Sequence, residues 1–152
     1  MKAYVLAAGY GTRMYPLTRD VPKALLDVGG RTILDRLVDK LRRLEGLTEI
    51  VLVTNARFHA QFVEWRTRQD VRVPLTLIDD GTLSDQGRLG AIRDLQLALE
   101  RVPLGKEDAI VLASDNLFEH DLGAAQKAFA EHGATTFIVR RGDRQPGPSR
   151  YN

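Results

Sequence analysis

The sequence predicts an α/β fold, a Rossmann-like and mostly parallel sheet with helices on both faces. Short apolar runs, typical of buried strands, alternate along the chain with longer segments whose apolar residues recur at helical spacing. Strands that are separated by helices pair in parallel, and the helices then cover both faces of the sheet. With 152 residues, of which 43% are hydrophobic, the chain is long enough to bury one sizeable core.

Each element follows from a local pattern. Apolar or β-branched runs predict strands at residues 2–8, 49–54, 75–78, 109–113 and 135–139. Apolar stripes at helical spacing predict helices at residues 33–44, 58–65, 91–102 and 122–130. The last helix should end at Gly133, because glycine is favoured just after a helix. We therefore expect one α/β domain over residues 1–139, followed by a Pro/Gly-rich tail over residues 140–152.

Composition argues against several classes of protein. The net charge of +2 is too small for a nucleic-acid footprint without a clustered basic face, so we expect no nucleic-acid partner. There is no cysteine, which rules out disulfides and cysteine metal sites. No apolar run approaches the roughly 20 residues that span a bilayer, and residues 1–6 enter the first strand without room for a cleaved signal peptide. We expect a cytoplasmic protein without a membrane partner.

A ligand site is expected where the strands end. In open α/β sheets the crevice for ligands lies beyond the carboxyl ends of the strands. The segments that follow the first, third and fourth strands are the long connection 9–30, the segment 79–88, and the tripeptide Ser-Asp-Asn at 114–116. All three should face one crevice. The first connection is unusually long, and such loops in a small domain are usually functional.

The connection after the first strand is typical of an anion-binding loop. Gly9 and Gly11 allow positive φ and a close approach of the backbone, so that consecutive N–H groups can point at an anion. Met14 stands where a dinucleotide fingerprint has its third glycine, and no Gly-Lys-Ser/Thr follows as in a Walker loop. Arg13 offers phosphate oxygens a planar cation, and Lys23 offers a second charge. On these residues alone, a glycine turn with a solvated Arg and Lys stays an alternative.

Longer segments resemble a known family. Residues 6–18, LAAGYGTRMYPLT, and residues 22–26, PKALL, closely resemble the signature of the sugar-1-phosphate nucleotidyltransferases. Residues 87–91, GRLGA, resemble the loop-to-helix segment that lies near the base in this family. Residues 114–116 resemble its metal-binding Gly-Asp-Asn, with Ser114 in place of the usual glycine.

The resemblance implies the transfer of a nucleotide. The phosphate of a sugar 1-phosphate attacks the α-phosphorus of a nucleoside triphosphate and releases pyrophosphate. Because the nucleophile is already an anion, we expect catalysis to consist of positioning and charge neutralisation. The implied partners are a nucleoside triphosphate and a sugar 1-phosphate, and the implied cofactor is Mg²⁺. A homo-oligomer is compatible with the sequence.

The family's functional residues fall on matching positions of this chain. By resemblance, Arg13 neutralises the departing pyrophosphate, Lys23 bridges the α-phosphate and the incoming phosphate, and Asp115 holds Mg²⁺. These three are the implied catalytic residues, and Asp115 is the implied metal ligand. The implied nucleotide-binding residues are Leu6, Ala7, Ala8, Gly9, Tyr10, Gly11, Thr12, Arg13, Lys23, Asp80 and Gly87.

Some of these residues have a plain structural alternative. Asp115 follows a strand and could cap a helix, since Asp is preferred at that position. The run Asp-Asp-Gly-Thr at 79–82 is typical of a turn, and Asp80 is kept as a candidate for the loop near the base. Trp65 is expected in the core rather than on a stacking platform.

Two other functions stay open. A cytidylyltransferase for phosphocholine shares the glycine loop but lacks the sugar pocket. A non-catalytic nucleotide-sensing subunit is less favoured, because it need not keep Arg13, Lys23 and Asp115 together. Members of the family normally continue into strands that bind the sugar, and residues 149–152, SRYN, resemble the place where that half begins. We therefore expect residues 1–139 to be the nucleotide-binding domain and the tail to be the truncated start of the sugar-binding half.

Overall fold

Strands and α-helices alternate throughout residues 1–133 and 135, the part of the chain that the computed structural model describes. The strands are β1 (Lys2–Leu6), β2 (Glu49–Thr54), β3 (Leu75–Asp79) and β4 (Ala109–Ala113). The helices are α1 (Ile33–Leu41), α2 (His59–Thr67), α3 (Ala91–Arg101) and α4 (Gly123–His132). Short 3-10 turns interrupt the connections at Thr12–Met14, Lys23–Leu25 and Asp85–Gly87. No helix in this part is long and apolar enough to cross a membrane.

β1 lies inside the sheet, between β2 and β4. The strand order is β3-β2-β1-β4, and every neighbouring pair is parallel, as predicted. Ala3 pairs with Ile50 on one side and with Ile110 on the other. The chain first adds β2 and β3 on one side of β1 and then returns to place β4 on the other. This reversal makes the ends of β1 and β4 a topological switch point, where a ligand crevice opens in such sheets.

Helices cover both faces of the sheet, as predicted. Successive residues of a strand point to opposite faces, so Ala3 and Val5 belong to one layer of the core and Tyr4 to the other. The first layer includes side chains from α1, α2 and the start of α4, namely Leu34, Leu37, Val38, Leu41, Phe62, Trp65 and Leu122. In the second layer, Ala98 of α3 packs with Tyr4, Val51, Val53 and Ile78. Trp65 is 2% exposed, which confirms that it belongs to the core.

Several element ends differ from expectation: α1 ends at Leu41 rather than at residue 44, and two other ends differ because of one side chain, that of Asn55. β1 ends at Leu6 rather than at residue 8, and the Ala8 carbonyl accepts a hydrogen bond from Asn55 Nδ2 at 2.9 Å instead of joining a strand ladder. α2 begins at His59, because the Phe58 N–H donates to Asn55 Oδ1 at 3.0 Å in a turn before the helix.

The end of α4 agrees with expectation. Gly133 adopts a left-handed conformation with φ 59°, and its N–H donates to the Phe129 carbonyl at 2.9 Å. Apart from Thr135, the predicted fifth strand at 135–139 and the tail at 140–152 lie outside the described residues.

Asp35 joins the first two helices. At the start of α1 its Oδ2 accepts the Thr32 N–H, and Thr32 Oγ1 accepts the Asp35 N–H, both at 3.0 Å, which forms a capping box. Its Oδ1 accepts the Trp65 indole N–H at 2.9 Å and the Gln69 amide at 3.0 Å. Burial opposes ionisation of the carboxyl, but the hydrogen bonds outweigh burial and lower the pKa of Asp35. The carboxylate therefore holds α1 against α2.

We expect Asp35→Ala to lower the free energy of unfolding at pH 7 by about 2–4 kcal/mol, because the helix cap is lost and the Trp65 indole N–H is left without an acceptor. The deficit should shrink as the pH falls below the ordinary aspartate pKa, since the lowered pKa stabilises the fold only while Asp35 is ionised. Urea denaturation at pH 7 and pH 3 measures both effects.

Asp39→Ala is the matched control, because Asp39 lies on the same helix and its ion-pair partners among the described residues are Arg31 and Arg42, near the surface. Removing the Asp39 carboxylate should lower the free energy of unfolding by less than about 1 kcal/mol. Equal destabilisation by the two substitutions would show that Asp35 has no special role in joining the helices.

Candidate functional site

A cavity of about 580 Å³ opens at the carboxyl ends of β1 and β4. Three connections line it, which confirms that the loop after β1, the segment before α3 and the turn after β4 face one crevice. The lining residues are Leu6 to Met14, Lys23, Ala24, Asp85, Arg88, Gly90, Ala91, Asp94, Ala113, Ser114 and Asp115. A larger cavity of about 710 Å³ runs along β4 between α3 and α4, on a mostly apolar lining away from the glycine loop.

The two glycines of the loop serve different purposes. Gly11 has φ 62°, and a Cβ at this position would lie 3.1 Å from the Thr18 side chain, whose Oγ1 donates to the Gly11 carbonyl at 2.7 Å. Gly9 does not use positive φ, contrary to expectation. A Cβ at Gly9 would meet no described atom within 4 Å, so the backbone there borders open space. Gly11 is thus required by the turn, whereas Gly9 leaves room for a ligand to approach the main chain.

Buried polar side chains fix the shape of the loop. Asn55 is fully buried. Its side chain donates a hydrogen bond to the Ala8 carbonyl and accepts one from the Phe58 N–H in the turn before α2. The Tyr10 hydroxyl lies 2.9 Å from Thr82 Oγ1 and joins the glycine loop to the turn after β3. Burial raises the pKa of Tyr10, so its hydroxyl keeps its proton. Asn55 and Thr82 did not stand out in the sequence. The pattern that could have indicated their role is the placement of polar residues after apolar strands.

Lys23 and Asp115 meet at the cavity, although they are 92 residues apart in the chain. Lys23 Nζ donates to Asp115 Oδ2 at 2.8 Å, and their side chains are 31% and 46% exposed. Pro22, with extended backbone, leads into the 3-10 turn that carries Lys23, and Asp115 follows β4 directly. The next helix after Asp115 begins only at Gly123. Asp115 is therefore not a helix cap, and that alternative is wrong.

The remaining cations at the cavity are arginines. Arg13 lies in the 3-10 turn Thr12–Met14 and its side chain is exposed. Arg88 pairs with Asp85 at 2.6 Å across the turn before α3. Because Lys23 and Arg88 each pair with a carboxylate of the same rim, Arg13 is the cation there that forms no ion pair among the described residues.

Asp80 and Gly87 lie beside the cavity but are not among its lining residues. The predicted turn at 79–82 is present: Asp79 Oδ1 accepts the Gly81 N–H at 2.8 Å, and Asp80 Oδ1 accepts both the N–H and the hydroxyl of Thr82 at 2.7 Å. Asp80 Oδ2 is buried without a hydrogen-bond partner among the described residues.

Asp94 is a lining residue that the sequence analysis missed. It lies in the first turn of α3, is only 6% exposed, and its Oδ1 has no hydrogen-bond partner within the described part of the chain. Burial, with a smaller contribution from the charge of Asp80, raises the pKa of Asp94 to about 6. Its position on the helix was the available signal, because Asp94 shares a face with the buried Ala98.

The carboxylates at the cavity decide whether a divalent cation could bind there. Residues 1–133 and 135 contain no group of three or more His, Cys, Asp or Glu side chains placed to hold a metal. Of the three carboxylates that line the cavity, Asp85 pairs with Arg88 and Asp94 is buried, which leaves Asp115 as the carboxylate placed beside Lys23. Mg²⁺ is commonly held by one or two carboxylates together with substrate phosphates and water, so a single carboxylate fits an ion that arrives with a triphosphate.

The family model for nucleotidyl transferases matches residues 2–151. The chain belongs to this family. It is 32% identical to a mannose-1-phosphate guanyltransferase from Aspergillus fumigatus, over 99% of this chain and 40% of that protein. It is 36% identical to an N-acetylmuramate alpha-1-phosphate uridylyltransferase from Caulobacter vibrioides, over 84% of this chain and 51% of that protein.

A solved structure agrees with this membership. A protein from Bacillus anthracis, described as a glucose-1-phosphate thymidylyltransferase and crystallised with sucrose, superposes on this chain with a TM-score of 0.73 at 27% identity. The match covers 86% of this chain and 50% of that protein. The nucleotidyl transferase chain described here thus spans about half or less of the length of these relatives.

We expect Asp94→Asn to stabilise the protein at pH 7.5 by about 1–3 kcal/mol, because the substitution removes a buried charge and keeps the shape of the side chain. A raised pKa means that the folded protein holds a proton that the unfolded chain releases between about pH 4 and pH 6. The wild-type protein therefore loses stability relative to the variant as the pH rises through this window. Urea denaturation at pH 4 and pH 7.5 measures the difference.

Asp70→Asn, which removes a charge from an exposed position, serves as the control and should leave stability nearly unchanged at both pH values. If the advantage of Asp94→Asn were the same at pH 4 as at pH 7.5, the buried charge would not be its cause.

Proposed function

We propose that this chain is the nucleotide-binding and catalytic-loop part of a sugar-1-phosphate nucleotidyltransferase. The observation that carries the proposal is the meeting of Lys23 with Asp115, at 2.8 Å, on the rim of a cavity built around the glycine loop. A cation for phosphate and a carboxylate for a metal are the two charges that this chemistry needs at one place. The cavity also lies at the switch point of the sheet, where such folds bind nucleotides.

The proposed reaction is an in-line displacement at phosphorus. A phosphate oxygen of the sugar 1-phosphate forms a bond to the α-phosphorus of the triphosphate, and the bond from that phosphorus to the bridging oxygen of the β-phosphate breaks. Pyrophosphate leaves with the electron pair of the broken bond. The attacking oxygen already carries negative charge, so no side chain has to remove a proton. Catalysis then depends on positioning the phosphates and neutralising their charge.

Each residue at the rim has a role that its position supports. The main chain from Ala8 to Thr12 cradles the triphosphate, because Gly9 borders open space. Arg13, exposed at the cavity, neutralises charge on the departing pyrophosphate. Lys23 binds the α-phosphate and the incoming phosphate, and Asp115 holds Mg²⁺. The ion, when bound, supplies positive charge at the phosphate oxygens.

The pair of Lys23 and Asp115 is suited to exchange its partners. Both side chains are partly exposed, and ion pairs of this kind contribute only about 0–1 kcal/mol. A metal–triphosphate complex offers Asp115 a cation and Lys23 an anion, so the pair can open at little cost. Each charge then keeps an opposite charge beside it throughout binding.

The acceptor is proposed from the relatives. The three proteins named above are described by a sugar 1-phosphate each, which supports a sugar 1-phosphate over phosphocholine as the acceptor here. The retained Arg13, Lys23 and Asp115 support an enzyme over a sensing subunit. A cytoplasmic location, where sugar phosphates and triphosphates are available, and a homo-oligomeric state remain part of the proposal.

We expect nucleoside triphosphate with Mg²⁺ to raise the melting temperature of the protein. Ligand at 100 times its dissociation constant adds roughly 2.7 kcal/mol to the free energy of unfolding. Lys23→Ala should weaken binding by about 10-fold to 100-fold, the range for losing a hydrogen bond to a charged group. Asp115→Asn should weaken binding only when Mg²⁺ is present. Titration calorimetry with and without Mg²⁺, for ATP, GTP, CTP, UTP and dTTP, measures these affinities.

Lys106→Ala is the control, because Lys106 is exposed just before β4, at the opposite end of the strand from the cavity. It should leave every affinity unchanged. The proposal would be wrong if none of the five triphosphates bound, and the assigned roles would be wrong if Lys23→Ala and Asp115→Asn behaved like Lys106→Ala.

A further inference from the structure

One buried carboxylate, that of Asp94, lines the inner wall of the cavity, and a second, that of Asp80, lies behind the lining. Asp94 Oδ1 and Asp80 Oδ2 are both buried and accept no hydrogen bond from any described residue. Asp94 lines the cavity and is more than nine-tenths buried. The two groups are close enough for the charge of Asp80 to act on Asp94. Buried polar atoms are almost always satisfied in folded proteins, so the unpartnered carboxylate of Asp94 at the cavity wall indicates that a ligand completes it.

Asp80 is held rigidly behind this wall. Its Oδ1 accepts the N–H and the hydroxyl of Thr82, both at 2.7 Å. The Thr82 hydroxyl therefore accepts from the Tyr10 hydroxyl, 2.9 Å away. This chain of hydrogen bonds ties the carboxylate to the glycine loop and leaves Oδ2 as its unused oxygen. The charge of Asp80 that acts on Asp94 is thus held in a fixed place before a ligand arrives.

The rest of the wall has room for a flat group. Asp94 lies one turn into α3, and the residues before it at the cavity are Gly90 and Ala91, which carry little or no side chain. Leu6 and Ala8 at the end of β1 border the same space. A planar ring can lie against this small-residue surface, with the polar atoms of its edge directed at the Asp94 carboxylate.

Ionised carboxylates only accept hydrogen bonds, which divides the nucleobases into classes. Guanine presents two adjacent donors, its N1–H and its 2-amino group, and matches a pair of acceptors. Uracil and thymine present a single N3–H between two carbonyl oxygens, which carboxylate oxygens repel. Adenine and cytosine present one amino group next to a ring nitrogen that is itself an acceptor.

We infer that Asp94, supported by Asp80, selects guanine as the base of the bound triphosphate by accepting hydrogen bonds from the guanine edge. This inference rests on the proposed function, because it requires that a nucleoside triphosphate bind in this cavity. Asp94 is a specificity-determining residue in this account. The relatives named above carry different bases in their descriptions, so kinship alone does not choose one.

The test is a set of calorimetric titrations at pH 7.5 with Mg²⁺ and GTP, ITP, ATP, CTP, UTP or dTTP. ITP keeps the N1–H of guanine and lacks only the 2-amino group. We expect GTP to bind at least about tenfold more tightly than every other triphosphate, in keeping with the discrimination of a good bidentate contact to a base. In Asp94→Asn the affinity for GTP should fall about tenfold or more, the affinity for ITP, which keeps the N1–H, should fall less, and the affinity for UTP should change little.

Glu100→Gln is the matched control, because Glu100 is an exposed carboxylate at the far end of α3 whose described partner is Gln96. It should keep the full preference for GTP. Asp94→Asn is expected to fold, since it removes a buried charge. Equal affinities for all six triphosphates, or tightest binding of UTP, dTTP, ATP or CTP, would overturn the inference and leave the proposed function standing. Failure of every triphosphate to bind would overturn both.

Discussion

The parallel pairing of β1 on both of its edges is the constraint on which the rest of the structure depends. β1 hydrogen-bonds to β2 on one side and to β4 on the other, so its side chains are buried in both layers of the core. Parallel strands all end at the same edge of a sheet, which brings the glycine loop after β1 next to the turn after β4. The contact of Lys23 with Asp115 is a consequence of this topology, since no local interaction joins residues so distant in the chain.

The cavity keeps its shape because the polar groups around it are satisfied mainly from the protein side. A loop that turns away from a sheet leaves backbone carbonyls without ladder partners, and leaving these groups unpaired is costly when they are buried. Asn55 and Thr18 supply donors to the carbonyls of Ala8 and Gly11, and both side chains are fully buried. The loop is therefore fixed by hydrogen bonds on the side that faces the protein core. Its other side, which faces the cavity, stays open for a ligand.

The sequence could predict the elements and the place of the site, and it could not predict several of the contacts. The strands and helices rest on periodic apolar residues, and β2 and β4 were predicted to the residue because their apolar runs are bounded by polar positions. The place of the crevice followed from the predicted parallel sheet, because ligands bind beyond the carboxyl ends of such strands. Asp94 did not follow, because its burial depends on the packing of α3 against β1 and β2, and the helix face that it shares with Ala98 is a weak local signal for a buried carboxylate. The position of Asp80 behind the lining, rather than on it, depends in the same way on the turn that Thr82 makes.

The site contains charges at its rim, which water screens, and a buried charge, which is largely shielded from water. Lys23 and Asp115 lie at the rim, where water screens them, and each already has an opposite charge beside it. Their pairing is weak for that reason and can be exchanged for phosphate and metal without a large barrier. Asp94 lies inside, where burial raises its pKa and no described group neutralises it. Such a carboxylate costs the fold stability, and residues of this kind are found where a site needs a fixed acceptor more than the fold needs the stability. The rim of the cavity is thus built for charges that exchange partners, and its inner wall for a contact whose geometry is fixed in advance.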